Sequence, residues 1–301
     1  MAQWIDTHVH LFTEATKGES PVIIDGGINT VDHYLKSFGN NAPQAVVVVD
    51  FSKAKQSDHV VATVEALNKQ AVPAQGIIRG NIEDERTFDW ITRPEIAGIR
   101  LYGKDSIPDF AQDKEKWDRL FNLVRQHDKH ICLFGAPGLI RKLAENLPDD
   151  LTLLIDHIGM GDAAKGASAD SDFNLLLDSL ASRHKTAGPV FFKGPGYRTS
   201  FEINKTTAFI EKILEKFGDS QLLLGASDAP FAGPVVEKST RYEGKKNQEL
   251  VGYHNILDYL NELIEKIATD QQKSFEMLQM QFLYSNAQKL YQFEAKAQQA
   301  A

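Results

Sequence analysis

Ala45-Val46-Val47-Val48-Val49 is the stretch that decides the fold. Four consecutive β-branched residues suit an extended strand. Side chains alternate between the two faces of a strand, so an unbroken apolar run needs cover on both sides. A strand inside a parallel sheet flanked by helices has that cover. Leu153-Leu154-Ile155 and Leu222-Leu223-Leu224 share this character. Working outward, we expect strands near Trp4–His8, Ala45–Phe51, Ala74–Arg79, Ala97–Leu101, Ile131–Phe134, Leu151–Asp156, Pro189–Lys193 and Gln221–Gly225. Helical patterns fall at Asp58–Lys69, Asp113–His127, Asp172–His184, Thr206–Phe217, Val251–Ile267 and Ser274–Tyr284. Trp117, Leu120, Phe121 and Val124 share one helical stripe, as do Phe173, Leu176, Leu177 and Leu180. Ser57 is a candidate N-cap, and Gly218 a candidate helix stop.

Strand and helix in repeated alternation predict a parallel sheet wrapped by helices, and eight strands can close it. The expected fold is α/β: a closed (β/α)8 TIM barrel, one domain over residues 1–301. An open doubly wound sheet competes, but no Gly-rich phosphate turn follows the first strand. Long connections, 12–30 and 229–250, follow strands one and eight. Those strands are neighbours in a closed barrel, so both loops should cover one side of its mouth.

Apolar residues make up 42% and charged residues 25% of the 301, which is a globular balance. The net charge of −8 argues against a nucleic-acid partner, which normally meets a basic surface. No apolar run approaches the ~20 residues that span a bilayer, so no membrane partner is expected. The N-terminus has no basic-then-apolar leader pattern. A lone cysteine, Cys132, excludes an internal disulfide and fits a reducing cytoplasm. A C-terminal helix could pack in a homo-oligomer.

Barrel enzymes carry their chemistry at the C-terminal ends of the strands. Strand one ends in Asp6-Thr7-His8-Val9-His10, with His8 and His10 sharing a face. Strands three and four end in Arg79 and Arg100. Strand six ends in Asp156-His157-Ile158-Gly159, strand seven in Lys193-Gly194-Pro195-Gly196-Tyr197-Arg198, and strand eight in Ser227-Asp228-Ala229-Pro230-Phe231. Two imidazoles on one face can grip a metal ion or a polarised oxygen. Guanidinium groups bind carboxylates bidentately. Cys132 lies within strand five and reads as a core residue.

Asp-x-His-x-His, Asp-His-x-Gly and Ser-Asp-x-Pro at these strand ends resemble the amidohydrolase superfamily. Within it the chain resembles the branch of lactonases and related hydrolases that includes 2-pyrone-4,6-dicarboxylate lactonase. Asn286-Ala287-Gln288-Lys289-Leu290-Tyr291 resembles that branch's C-terminal signature. The resemblance implies functional roles for His8, His10, His157 and Asp228. Arg100 stands where binuclear members carry a bridging lysine, and Ile131–Gly135 offers no histidine, so a two-metal site is not expected. His8, His10 and Asp228 could hold one divalent metal ion, Zn²⁺ by preference. The branch also includes catalysis without a metal, and both routes stay open.

The implied activity is hydrolysis of a carboxylate-bearing cyclic ester, a sugar-acid or a pyrone- or muconate-type lactone. Asp228 would be the general base, with the histidines or a metal polarising the carbonyl. Arg79, Arg100 and Arg198 would grip substrate carboxylates, and Lys193 and Tyr197 would add donors. Competing readings are lactone isomerisation or decarboxylation on the same residues, a TatD-like metal-dependent deoxyribonuclease, and a non-catalytic ligand-binding barrel.

Overall fold

A computed structural model describes residues 3–16, 22–24, 27–28, 30–51, 57–103, 106–194, 202–229, 241–242 and 253–293. Eight parallel strands pair in chain order: β1 (Asp6–Val9), β2 (Val46–Val49), β3 (Ala74–Arg79), β4 (Ile96–Gly103), β5 (His130–Gly135), β6 (Thr152–Ile155), β7 (Val190–Lys193) and β8 (Leu222–Leu223). Beyond β8 the chain runs beside β1. Thr7 N donates to Gly225 O at 2.7 Å, Asp228 N to His8 O at 2.9 Å, and His10 N to Ala229 O at 2.7 Å. These bonds bring the last segment against the first strand, so the eight strands form a nearly closed barrel of the expected kind.

The valine run divides as the alternation requires. Val46 and Val48 join the outer core beneath the helices, whereas Val47 and Val49 point into the barrel. Leu153 and Leu154 divide the same way, as do Leu222 and Leu223. Full burial of each such side chain contributes about 1.5–3 kcal/mol.

The helices are α1 (Val31–Phe38), α2 (Asp58–Lys69), α3 (Glu85–Trp90), α4 (Lys114–Gln126), α5 (Pro137–Glu145), α6 (Ser171–Thr186), α7 (Ile203–Phe217), α8 (Tyr253–Gln271), α9 (Phe275–Met280) and α10 (Asn286–Tyr291). Four of these, α1, α3, α5 and α10, have no range in the sequence reading. They have 8, 6, 9 and 6 residues, too short for a repeating stripe to stand out. Ser57 does not cap α2: its hydroxyl donates to Asp50 Oδ1 at 3.0 Å and accepts from Arg79 N at 2.9 Å.

The expected single helix Ser274–Tyr284 is α9 followed by a π-helical turn, Gln281–Ser285, and α10 continues beyond it. The turn follows from competition for its carbonyls. Phe282 O accepts from Leu224 N at 3.0 Å, and Leu283 O from Ile5 N at 2.9 Å. Gly225 lies in this crossing, where a Cβ would stand 2.5 Å from Ile5 O. Asn286 Nδ2 then bonds Asp219 O and Leu222 O, while Ala287, Tyr291 and Phe293 join the core inside the barrel. The C-terminal signature therefore plugs the barrel at the end where the strands begin.

The two long connections meet. Arg241–Tyr242 pairs antiparallel with Val22–Ile24, which pairs with Gly27–Ile28. Both connections leave the C-terminal ends of their strands, at the mouth.

Candidate active site

His8 and His10 leave β1 toward the barrel axis with their Nε2 atoms 3.2 Å apart. Asp228 Oδ1 lies 3.6 Å from each. All three side chains are almost fully buried. The His157 ring stands 4.8 Å from that of His8. Residues from the first strand, the sixth and the segment after the eighth thus converge at one point.

His10 Nδ1 pairs with Val49 O at 2.8 Å. A carbonyl only accepts, so His10 carries its proton on Nδ1 and turns the Nε2 lone pair toward His8. His8 Nδ1 faces Asp156 Oδ1 at 3.6 Å, too far for a hydrogen bond, and has no other hydrogen-bond partner among the described residues. With a proton on Nδ1 toward that carboxylate, His8 also turns a lone pair toward His10. Two lone pairs and the Asp228 carboxylate would then face one another, an arrangement that asks for a cation. A triangle with sides of 3.2, 3.6 and 3.6 Å has its corners about 2.0 Å from a common point, the usual Zn–N and Zn–O length. The donor set and spacing fit a single divalent ion. A second grouping, His8, Asp156 and His157, fits less well because cations of the protein already occupy Asp156.

Asp156 is the charge hub beneath the site. Arg100 Nε donates to its Oδ2 at 2.8 Å, and Lys193 Nζ lies 3.0 Å from its Oδ1. Cys132 Sγ donates to Oδ1 at 2.9 Å. Burial by itself would raise this acid, yet Arg100 and Lys193 hold it well below the usual carboxylate range. Burial, reinforced by the Asp156 charge, pushes the Cys132 thiol up to about 12, so Cys132 is a packed donor and not a thiolate.

Burial also tunes the rest. It brings His10 down to about 3 and His157 to about 4, and His8 well below its ordinary value, so all three are neutral at pH 7. Asp228 moves the opposite way, to about 6, because burial outweighs the attraction of Arg100 and Lys193. An acid near 6 in a closed site suits proton abstraction. The backbone is unusual here: His157, Ile158 and Asp228 have φ of 51°, 50° and 53°. Left-handed non-glycine residues cluster at functional sites, where the surroundings over-determine them.

Arg100 is 3% exposed and turned inward. Its Nη1 donates to Asp50 O at 2.8 Å, so its fork already holds a carboxylate and a carbonyl of the protein. Lys193 is fully buried at the same hub. Arg79 lies closer to the surface, with Nε donating to Asp50 Oδ2 at 3.1 Å and Nη2 to Phe51 O at 2.8 Å. Tyr197 and Arg198 lie outside the described residues. Sequence reasoning missed Asp50, at the end of β2. Its carboxylate also accepts from Tyr102 OH at 2.9 Å, so one acid ties Ser57, Arg79 and Tyr102. A charged residue directly after four valines was the available signal.

No family model and no curated protein sequence matches the chain. Solved structures do. A probable 2-pyrone-4,6-dicarboxylic acid hydrolase from Acinetobacter baumannii, with citric acid bound, is 20% identical over 96% of this chain and 99% of that one, with a TM-score of 0.70. A Pseudomonas putida protein named as a candidate for the same activity is 22% identical over 98% and 99%, also at 0.70. An amidohydrolase from Burkholderia multivorans with bound HEPES is 16% identical over 97% and 99%, at 0.68. At these identities the likeness shows the fold alone, a TIM barrel like theirs. No described helix is long and apolar enough to cross a membrane.

Proposed function

We propose that this chain is a hydrolase that opens a carboxylate-bearing cyclic ester, with Asp228 as general base. The convergence of Asp228 with His8 and His10 at 3.6 Å is the observation that carries the reading. Asp228, raised to about 6, accepts a proton from the attacking water and later returns it to the leaving alkoxide. His157, neutral and next to His8, would donate to the carbonyl oxygen as charge develops on it. His8, His10 and Asp228 would hold one divalent ion, Zn²⁺ by preference. Such an ion supplies Lewis acidity toward a carbonyl and lowers the pKa of water. Asp156, with Arg100 and Lys193, fixes the floor of the site as a balanced charge cluster.

Arg79 is the described guanidinium best placed to meet a substrate carboxylate, with Asp50 holding its orientation. Tyr197 and Arg198 remain candidates for the same task, as expected from the sequence. The citrate bound to the Acinetobacter protein supports a small polycarboxylate or carboxylate-bearing ligand for this fold.

The test is a screen of sugar-acid, pyrone and muconate lactones with the purified protein, before and after chelation. Asp228→Asn should lower kcat about 10²–10⁴-fold while ligand affinity survives. Full turnover in Asp228→Asn refutes the assignment. Cleavage of single-stranded DNA in place of lactones would favour a nuclease, and ligand binding without turnover a binding barrel.

A further inference from the structure

We propose that Asp6 is a positioning residue for Asp228, itself clamped by Tyr34 of α1. The inference rests on the reading of Asp228 and His8 given above. Asp6 is fully buried and touches neither the converging imidazole nitrogens nor the Asp228 carboxylate through any described bond. Its Oδ1 accepts from Ser227 N at 2.9 Å and from His8 N at 3.3 Å. Its Oδ2 accepts from Tyr34 OH at 2.7 Å. One carboxylate therefore joins three segments that are distant in sequence: β1, the chain after β8, and α1.

These bonds sit on either side of the residues that matter. Ser227 precedes Asp228, and its hydroxyl accepts from Ala229 N at 3.2 Å. Asp228 N donates to His8 O, and His10 N to Ala229 O. The 227–229 turn is thus pinned at both ends while Asp228, at φ 53°, occupies a conformation that an unrestrained aspartate seldom keeps. Asp6 supplies the acceptor that the Ser227 amide would otherwise lack in a dry interior. A short acid suits the task because its two oxygens accept several donors at once. Tyr34 stops the carboxylate from rotating away. Asp6 also anchors the His8 amide, so one group sets the distance between His8 and Asp228.

The full-length protein, stripped of metal, is compared as wild type, Asp6→Ala, Asp6→Asn, Tyr34→Phe and Asp228→Asn. Zn²⁺ affinity is measured by competition with a chromophoric chelator. Amide exchange is followed at Asp228 and His10, whose own acceptors are untouched by these changes at position 6 and 34. Asp6→Ala should weaken Zn²⁺ about 10–100-fold, the usual effect of losing an outer partner of a ligand. It should also speed exchange at Asp228 and His10 but not in the β4–β5 core. Asp6→Asn should stay close to wild type, because its oxygen still accepts from Ser227. Tyr34→Phe should fall between the two, and it decides the matter if Asp6→Ala does not fold. Wild-type affinity and exchange in both Asp6→Ala and Tyr34→Phe would overturn the proposal. So would an Asp6→Asn as damaged as Asp6→Ala, since the role would then belong to charge. If wild type and Asp228→Asn bind Zn²⁺ equally poorly, the metal reading falls by itself. Faster Asp228 and His10 exchange in Tyr34→Phe would still support the clamp.

Discussion

Acidifying the metal-free protein from pH 7 to pH 5 should destabilise it, although two of its buried acids pull the other way. His8, His10 and His157 are held neutral by burial, with His10 near 3 and His157 near 4. In the unfolded chain they titrate near 6.5. Their contribution is present above that value and is lost as pH falls toward the folded pKa. At pH 5 His10 and His157 have each lost about 2 kcal/mol, and His8 loses in the same direction. Asp6 and Asp228 are raised to about 6. The folded state takes up protons there before the unfolded state does, so each regains about 1 kcal/mol over the same interval. Asp156 titrates far below this window and drops out. The losses outweigh the two gains, and the net effect is a loss of about 2 kcal/mol or more. Urea unfolding of chelator-stripped protein at the two pH values, followed by circular dichroism, measures it. Equal or greater stability at pH 5 with an unchanged m-value would refute the argument, because the imidazoles could not then be buried and neutral.

Arg100→Met should cost about 3–5 kcal/mol in the same assay, because it strands Asp156 without its main cation. A loss under about 1 kcal/mol would mean that Lys193 suffices alone. Zn²⁺ at about 100 times its Kd should add about 3 kcal/mol to the stability of the stripped protein, and His10→Phe should abolish the gain. Asp50→Ala should raise KM for whichever lactone the screen selects by about tenfold with little change in kcat, by releasing Arg79. A fall in kcat with KM unchanged would place Asp50 with the reacting atoms.

The barrel was legible because several strands carry unbroken apolar runs, Val46–Val49 above all, that suit a sheet covered on both faces. Strand boundaries were harder. β8 is only Leu222–Leu223, and the segment beyond it is bonded to β1 without regular strand form. The convergence of His8, His10, His157 and Asp228 was legible because motifs placed them at strand ends. Their protonation was not, since it depends on burial by residues scattered along the chain. Arg100 shows the limit most clearly. A guanidinium at a strand end reads as a ligand grip, but the sequence does not reveal that Asp156, 56 residues later, already fills its fork. The π turn was hidden for a similar reason, since its cause lies in the amides of Ile5 and Leu224.

The left-handed backbone at His157, Ile158 and Asp228 sets durability against activity in this barrel. Glycine at His157 or Asp228 would release about 1 kcal/mol of steric conflict, whereas at Ile158 the loss of a buried core side chain outweighs that relief. Engineering guided only by melting temperature would therefore be drawn to His157 and Asp228, two residues of the proposed chemistry. On the proposed reading, a more heat-resistant descendant obtained that way would be a well-folded, inert barrel.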